Sequence, residues 1–206
     1  MVTKKPKMKQ TVGAQYYAFN TPDTNGNFSS TYEDTIKTET VKSIGTTENG
    51  DNTTVKASGK DYATVNSTQN VEMEVENVAF DPDDLARMRG ETIDNSGLVT
   101  SGHGGIRPFF AYGKVVKKFN DGFRYEWFPK CQLVENTDDI NTEEDSFSEQ
   151  NDTVTVRAYP FNEAGDVKTY VDSDMTKFPE NLTEDKFFAN PILTPADLTA
   201  ATTAGA

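Results

Sequence analysis

The side chains best suited to nucleophilic or metal chemistry are scarce in this chain, which has one His and one Cys among 206 residues. A Cys-His pair would have to join His103, inside the loop-like run SGHGGI, to Cys131, at the end of the aromatic run FRYEWFPKC. No spacing brings the two together, and one of each cannot supply the usual ligand set of structural zinc. The 33 acidic residues offer many carboxylate pairs, but general acid-base work needs a partly buried pocket that separates their pKa values, and most lie in polar runs. SGHGG lacks the strand, helix and lysine of a phosphate cradle. The acidic run ENTDDINTEEDSFSEQND, Glu135 to Asp152, has no glycine at the sixth position and does not match a calcium loop. Neither an enzyme nor a bound cofactor or metal is expected. Cys131 reads as a small buried residue. Trp127, the only tryptophan, reads as core, the alternative being a stacking platform for a sugar or base.

The elements that would hold these residues are mainly strands. FFAYGKVVKKFNDGFRYEWFPKCQL, Phe109 to Leu133, alternates as a hairpin around Asn120-Asp121-Gly122. On its return strand Phe123, Tyr125, Trp127 and Cys131 share one parity and should anchor a core. Arg124, Glu126, Lys130 and Gln132 share the other, facing solvent or a neighbour. QNVEMEVENVAF has period two, with Val71, Met73 and Val75 on one face and Glu72, Glu74 and Glu76 on the other. FDPDDLARMRG carries the helix signals: Phe80 as staple with Leu85, Asp81 as N-cap, Pro82 at the first position and Gly90 as the left-handed stop. YYAFN near the start and DTVTVRAYPFN after the acidic run read as strands, with a short one at Asp166 to Asp172 beyond a turn. Tyr32 to Thr68 is a polar arm in which Asn49-Gly50 could close a hairpin. NPILTPADLTAATTAGA holds one capped mini-helix at Thr194-Pro195-Ala196-Asp197.

A net charge of −13 opposes adsorption to nucleic acid or to an anionic membrane. Hydrophobic residues make up 34% of the chain, so one domain with long loops, or segments ordered by a partner, is expected. The basic start MVTKKPKMKQTVG has no apolar core of a signal peptide, and no run is long enough to span a bilayer. The five Asn-x-Ser/Thr sequons, at Asn27, Asn52, Asn66, Asn151 and Asn181, are then no sign of glycosylation. A soluble protein made in the cytoplasm is expected.

In the order of these signals, from YYAF through QNVEMEVENVAF, DPDDLARMRG and RPFFAYGKVVKKFNDGFRYEWFPKCQL to DSFSEQNDTVTVRAYPF, the chain resembles the major tail proteins, or tail tube proteins, of long-tailed phages of Gram-positive bacteria, phi13 type. The resemblance covers about Ala14 to Asp174 and is most specific over Ile106 to Phe161. It implies a tail-tube-type β-sandwich or barrel with one short flanking helix, a polar arm and extended termini. Residues 1–13 form a basic arm, 14–174 the sandwich (arm about 32–68, acidic loop about 135–152) and 175–206 a partly flexible extension. It further implies a virion protein that builds stacked hexameric rings, through which genome DNA passes without specific binding. Its partners would be other copies, a tape measure protein, and tail terminator and distal tail proteins, with no membrane insertion. Glu72, Glu74 and Glu76 are candidates to line the lumen. The alternative is a carbohydrate- or receptor-binding β-sandwich module of a tail tip or cell surface.

Overall fold

Long strands account for most of the fold in the computed structural model, which describes residues 5–102, 106–138, 140–142 and 149–203. The elements in order are β1 (Lys9–Phe19), β2 (Ile36–Thr38), β3 (Val41–Ala57), β4 (Lys60–Asn77), α1 (Pro82–Arg89), β5 (Thr92–Ile93) and β6 (Val99–Thr100). They continue with β7 (Phe110–Lys118), β8 (Gly122–Asp138), β9 (Asp152–Ala158), β10 (Thr169–Asp172), α2 (Glu184–Phe188) and α3 (Pro195–Thr203). β5 and β6 make a separate small hairpin, and all other strands join one antiparallel sheet in the order β2-β1-β7-β8-β9-β4-β3, with β10 on β8. The class is mainly β with a few short helices.

β8 folds this sheet into two layers. Its first half pairs with β7 and β10, and its second half pairs with β9, the hand-over falling at Cys131. Residues 110 and 112 of β7 oppose residues 131 and 128 of β8, so β8 carries one extra residue beside Pro129. A proline has no N–H for the ladder, and a bulge is where a strand can hold one and bend. One layer is then β2-β1-β7-β8-β10 and the other β8-β9-β4-β3. β1 and β3 come close along the open seam without pairing.

Between the layers lies the main core. Tyr17, Phe19, Phe110, Tyr112 and Phe128 from one layer meet Val71, Met73, Val75, Val154 and Val156 from the other, and Phe80, Leu85 and Met88 of the α1 segment complete it. A polar thread crosses it: Tyr112 Oη donates to Gln15 Oε1 at 2.9 Å, and Gln15 Nε2 donates to Asn77 Oδ1 at 2.6 Å. A buried chain of this kind ties β1 and β7 to β4 in one register.

A second core lies on the outside of the first layer. Tyr16, Ala111, Val115, Tyr125 and Trp127 are covered there by Leu182, Phe187, Phe188 and Ile192. The C-terminal part of the chain, read from the sequence as an extension over 175–206, thus supplies the lid of a core through α2. The Phe188 ring lies parallel to that of Tyr16 with centroids 3.9 Å apart. Each buried phenylalanine is worth roughly 1.5–3 kcal/mol, ample to hold so short a helix in place.

Candidate functional site

The residues that invited chemistry are structural in their surroundings. Trp127 is fully buried beneath α2, and its indole N–H donates to the Phe187 carbonyl at 3.1 Å. It presents no face on which a sugar or base could stack. Cys131 is also fully buried, its thiol donating to the Phe128 carbonyl at 3.2 Å, and burial pushes its pKa well above the ordinary range. His103 lies outside the described residues, as do 139 and 143–148 of the acidic run. Among the described residues no cluster of three or more His, Cys, Asp or Glu is placed to hold a metal ion. No helix among them is long and apolar enough to cross a membrane.

Sequence parity misassigned this strand in two ways. Phe123, Tyr125 and Trp127 face the outer core under α2, whereas Cys131 faces the main core between the layers. The extra residue beside Pro129 reverses the parity, and the proline was the available signal. On the other parity, Glu126 is buried too, with its Oε2 3.2 Å from Lys114 Nζ, and Arg124 is half-buried beside it. That face is the inside of the sandwich near its open end, so charged residues meet there in ion pairs. Lys130 lies over the rings of Phe28 and Phe109 at 5.0 and 5.1 Å, and Gln132 Nε2 donates to the Arg107 carbonyl at 2.7 Å.

The α1 segment is held at both ends. Asp81 accepts from the N–H groups of Asp83 and Asp84 at 3.0 and 3.2 Å, Phe80 and Leu85 pack on the main core, and Gly90 takes φ 72° as the stop. A Cβ at Gly90 would stand 3.2 Å from the Ile106 carbonyl oxygen, so both conformation and space favour glycine.

The polar arm is built differently from the sequence reading. β3 and β4 pair continuously from Val41↔Asn77 to Ala57↔Lys60, and the turn is Ser58-Gly59, both with positive φ, at 52° and 77°. Two such residues make the turn that matches strand twist. Asn49-Gly50 instead sits within the ladder at a register shift. β4 joins β9 only over Val71 to Asn77. From Gly50↔Thr68 outward, the two strands pair with each other alone, and the arm runs on past the body for roughly 25–30 Å at ~3.3 Å per residue. Tyr62 on it is 78% exposed. The acidic run also begins as strand, since β8 continues to Asp138 opposite Asp152.

Glu72, Glu74 and Glu76 lie on the face of β4 turned away from the main core. Glu72 pairs with Arg157 of β9, Glu76 accepts from Ser43 and Asn151, and Glu74 is exposed. No helix covers this face among the described residues; Gly45, Thr47, Thr155 and Glu135 surround it.

No family model matches the chain, and no curated protein matches it in sequence. Among solved structures the chain is similar to a chain of the anti-feeding prophage baseplate, determined by cryo-EM with six-fold symmetrisation. That similarity has 8% identity and a TM-score of 0.45, covering 84% of this chain and 100% of the other.

Proposed function

We propose that this protein is a tail tube subunit, a structural virion protein that self-assembles into stacked hexameric rings and forms the conduit for genome DNA. The observation that supports this reading best is the arm. An isolated two-stranded hairpin is marginal in water, and the outer part of β3–β4 has no third strand among the described residues and few apolar residues in its sequence. Contacts from another copy would offset the entropy of ordering it. The acidic outer face of β4, with Glu72, Glu74 and Glu76, would line the lumen and repel phosphates, so that the duplex slides without sticking. Tape measure, terminator and distal tail proteins would meet the tube at its inside and its ends.

Negative-stain microscopy of the concentrated protein tests the reading, with rings or tubes as the expected result. A variant in which residues 50–68 are replaced by a two-residue turn should remain a folded monomer with an unchanged melting temperature and form no tubes. A wild-type protein that stays monomeric at all concentrations would overturn the proposal. For the lumen, a triple Glu72→Gln, Glu74→Gln, Glu76→Gln tube should slow DNA ejection, and an unchanged rate would place the acidic face elsewhere.

A further inference from the structure

Where the seam between β1 and β3 stays open, a cleft of about 560 Å³ reaches down to β7 and β8. Its charged lining is Lys9, Lys114, Arg124 and Lys168 against Glu48 and Glu126, an excess of cations in a chain whose net charge is −13. At the floor, Lys114 is 6% exposed, and its Nζ donates to Thr46 Oγ1 at 2.6 Å besides pairing with Glu126. The same Glu126 carboxylate lies 2.8 Å from Arg124 Nε, yet that buried N–H has no hydrogen-bond acceptor among the described residues. One carboxylate therefore serves two cations. Lys168 at the wall pairs with Glu48. A partly desolvated site with unmatched positive charge favours a further anion, and a guanidinium favours a carboxylate in particular.

The register locates this cleft relative to the acidic run. Thr46 and Glu48 oppose Met73 and Val71, the last part of β4 that belongs to the body before the arm leaves it. The run Glu135 to Asp152, with eight acids and no Lys or Arg, begins inside β8 with Glu135 opposite Thr155, then leaves the sheet after Asp138 and rejoins it at Asp152, which pairs with Asp138 and Asn77. Six residue steps along β4, from Val71 opposite Glu48 to Asn77 opposite Asp152, put roughly 20 Å between the cleft wall at Glu48 and the point where the run rejoins the sheet. Within one copy Glu149, just before the run rejoins the sheet, pairs with Lys42 at 2.9 Å. We infer that the cleft is a carboxylate site filled, on assembly, by acidic side chains from the run 135–152 of a second copy of this chain. The meeting of two copies rests on the tube-subunit reading, but the binding chemistry can be tested apart from it.

The probe is a fluorescent peptide of residues 135–152, titrated by anisotropy against the full-length protein held dilute. A control peptide carries Asn and Gln in place of its Asp and Glu. The wild type should bind the acidic peptide, lose it as salt rises, and ignore the control. The double variant R124Q/K168Q removes two cations that are part-exposed and leaves the Lys114–Glu126 pair in place; it should bind on the order of tenfold more weakly. Its melting curve, matching the wild type, shows that folding is not the cause. Absent binding, equal binding by the variant, or equal binding of the control peptide would each overturn the inference. So would a labelled DNA duplex that binds through the same two residues in preference to the peptide. If the peptide binds as expected but the wild type never forms rings, the carboxylate site stands and the tube reading falls. If tubes form but the peptide does not bind, the carboxylate site falls and the tube reading stands.

Discussion

Adjacent tyrosines on β1 illustrate how single residues join the layers. Tyr16 and Tyr17 point to opposite faces, and each phenol donates to a carboxylate on a helix: Tyr16 to Glu184 of α2 at 2.7 Å, Tyr17 to Asp84 of α1 at 2.5 Å. Burial, then the neighbouring carboxylate, raises both phenol pKa values, so the pair stays protonated and donating throughout the ordinary pH range. Tyr17→Phe should cost about 1.5–3 kcal/mol in denaturant unfolding, because a hydrogen bond to a charged group is lost. Gly113 marks the closest packing under α2: a Cβ there would stand 2.8 Å from Phe188 and 3.0 Å from Trp127. Gly113→Ala should destabilise by about 1–3 kcal/mol and shift Trp127 fluorescence to the red as α2 lifts. Cys131, buried and with a raised pKa, should react with a thiol reagent only at the rate of unfolding. At this scale the sequence told the kind of role but not the neighbour. Phe187 and Phe188 went unread because they stand in the polar context ENLTEDKFFAN, where no periodicity announces a buried face.

Among elements, those governed by local rules were the most legible. The cap, staple and stop of α1 follow from side chains within about ten residues of one another, and Asp81→Ala should lower stability by about 1 kcal/mol with α1 the first segment to exchange its amide hydrogens. The period of β4 was equally readable. What local rules could not settle was competition between two turn signals in the arm. Asn49-Gly50 has the stronger turn composition, but a turn there would leave Val71, Met73 and Val75 without the strand order that the core imposes, and Ser58-Gly59 closes the hairpin instead. Gly59→Val should therefore weaken only the arm, read as faster proteolysis near residue 59 with the melting temperature of the body unchanged. The bulge at Pro129 shows the same limit: alternation is reliable until one extra residue reverses it, and the reversal moved Cys131 to another core.

For the whole molecule, the segment before β1 and the segment after β10 meet in one clasp on β7. Lys118 Nζ is 2.5 Å from Asp172 and 3.0 Å from Asp174, and Asp174 in turn accepts from the Lys7 backbone N–H at 3.2 Å. The hydrogen bond from Lys118 holds the Asp174 carboxyl below its ordinary 3.8, so its contribution is present above that pH and is lost as pH falls further. Burial pulls Lys118 down, but its two aspartates outweigh it and lift the ammonium above 10.5; that contribution is lost as pH rises through the folded value. The clasp should hold between about pH 4 and pH 10 and loosen at either extreme, seen as N-terminal amide exchange that quickens outside this window before the body unfolds. Such long-range closure lies beyond sequence reading, since 167 residues separate Lys7 from Asp174.

The arm leaves the body at one edge and nowhere else, which gives the subunit a head and a tail. A contact between the arm and a different surface of an identical copy is one-way, and a one-way contact repeated along an axis has no internal stopping point. In a tube built this way, one terminus would display free arms and the other unfilled receiving surfaces. Growth would then be a vectorial process, and the proteins that close the two termini would have to be complementary to different chemistry.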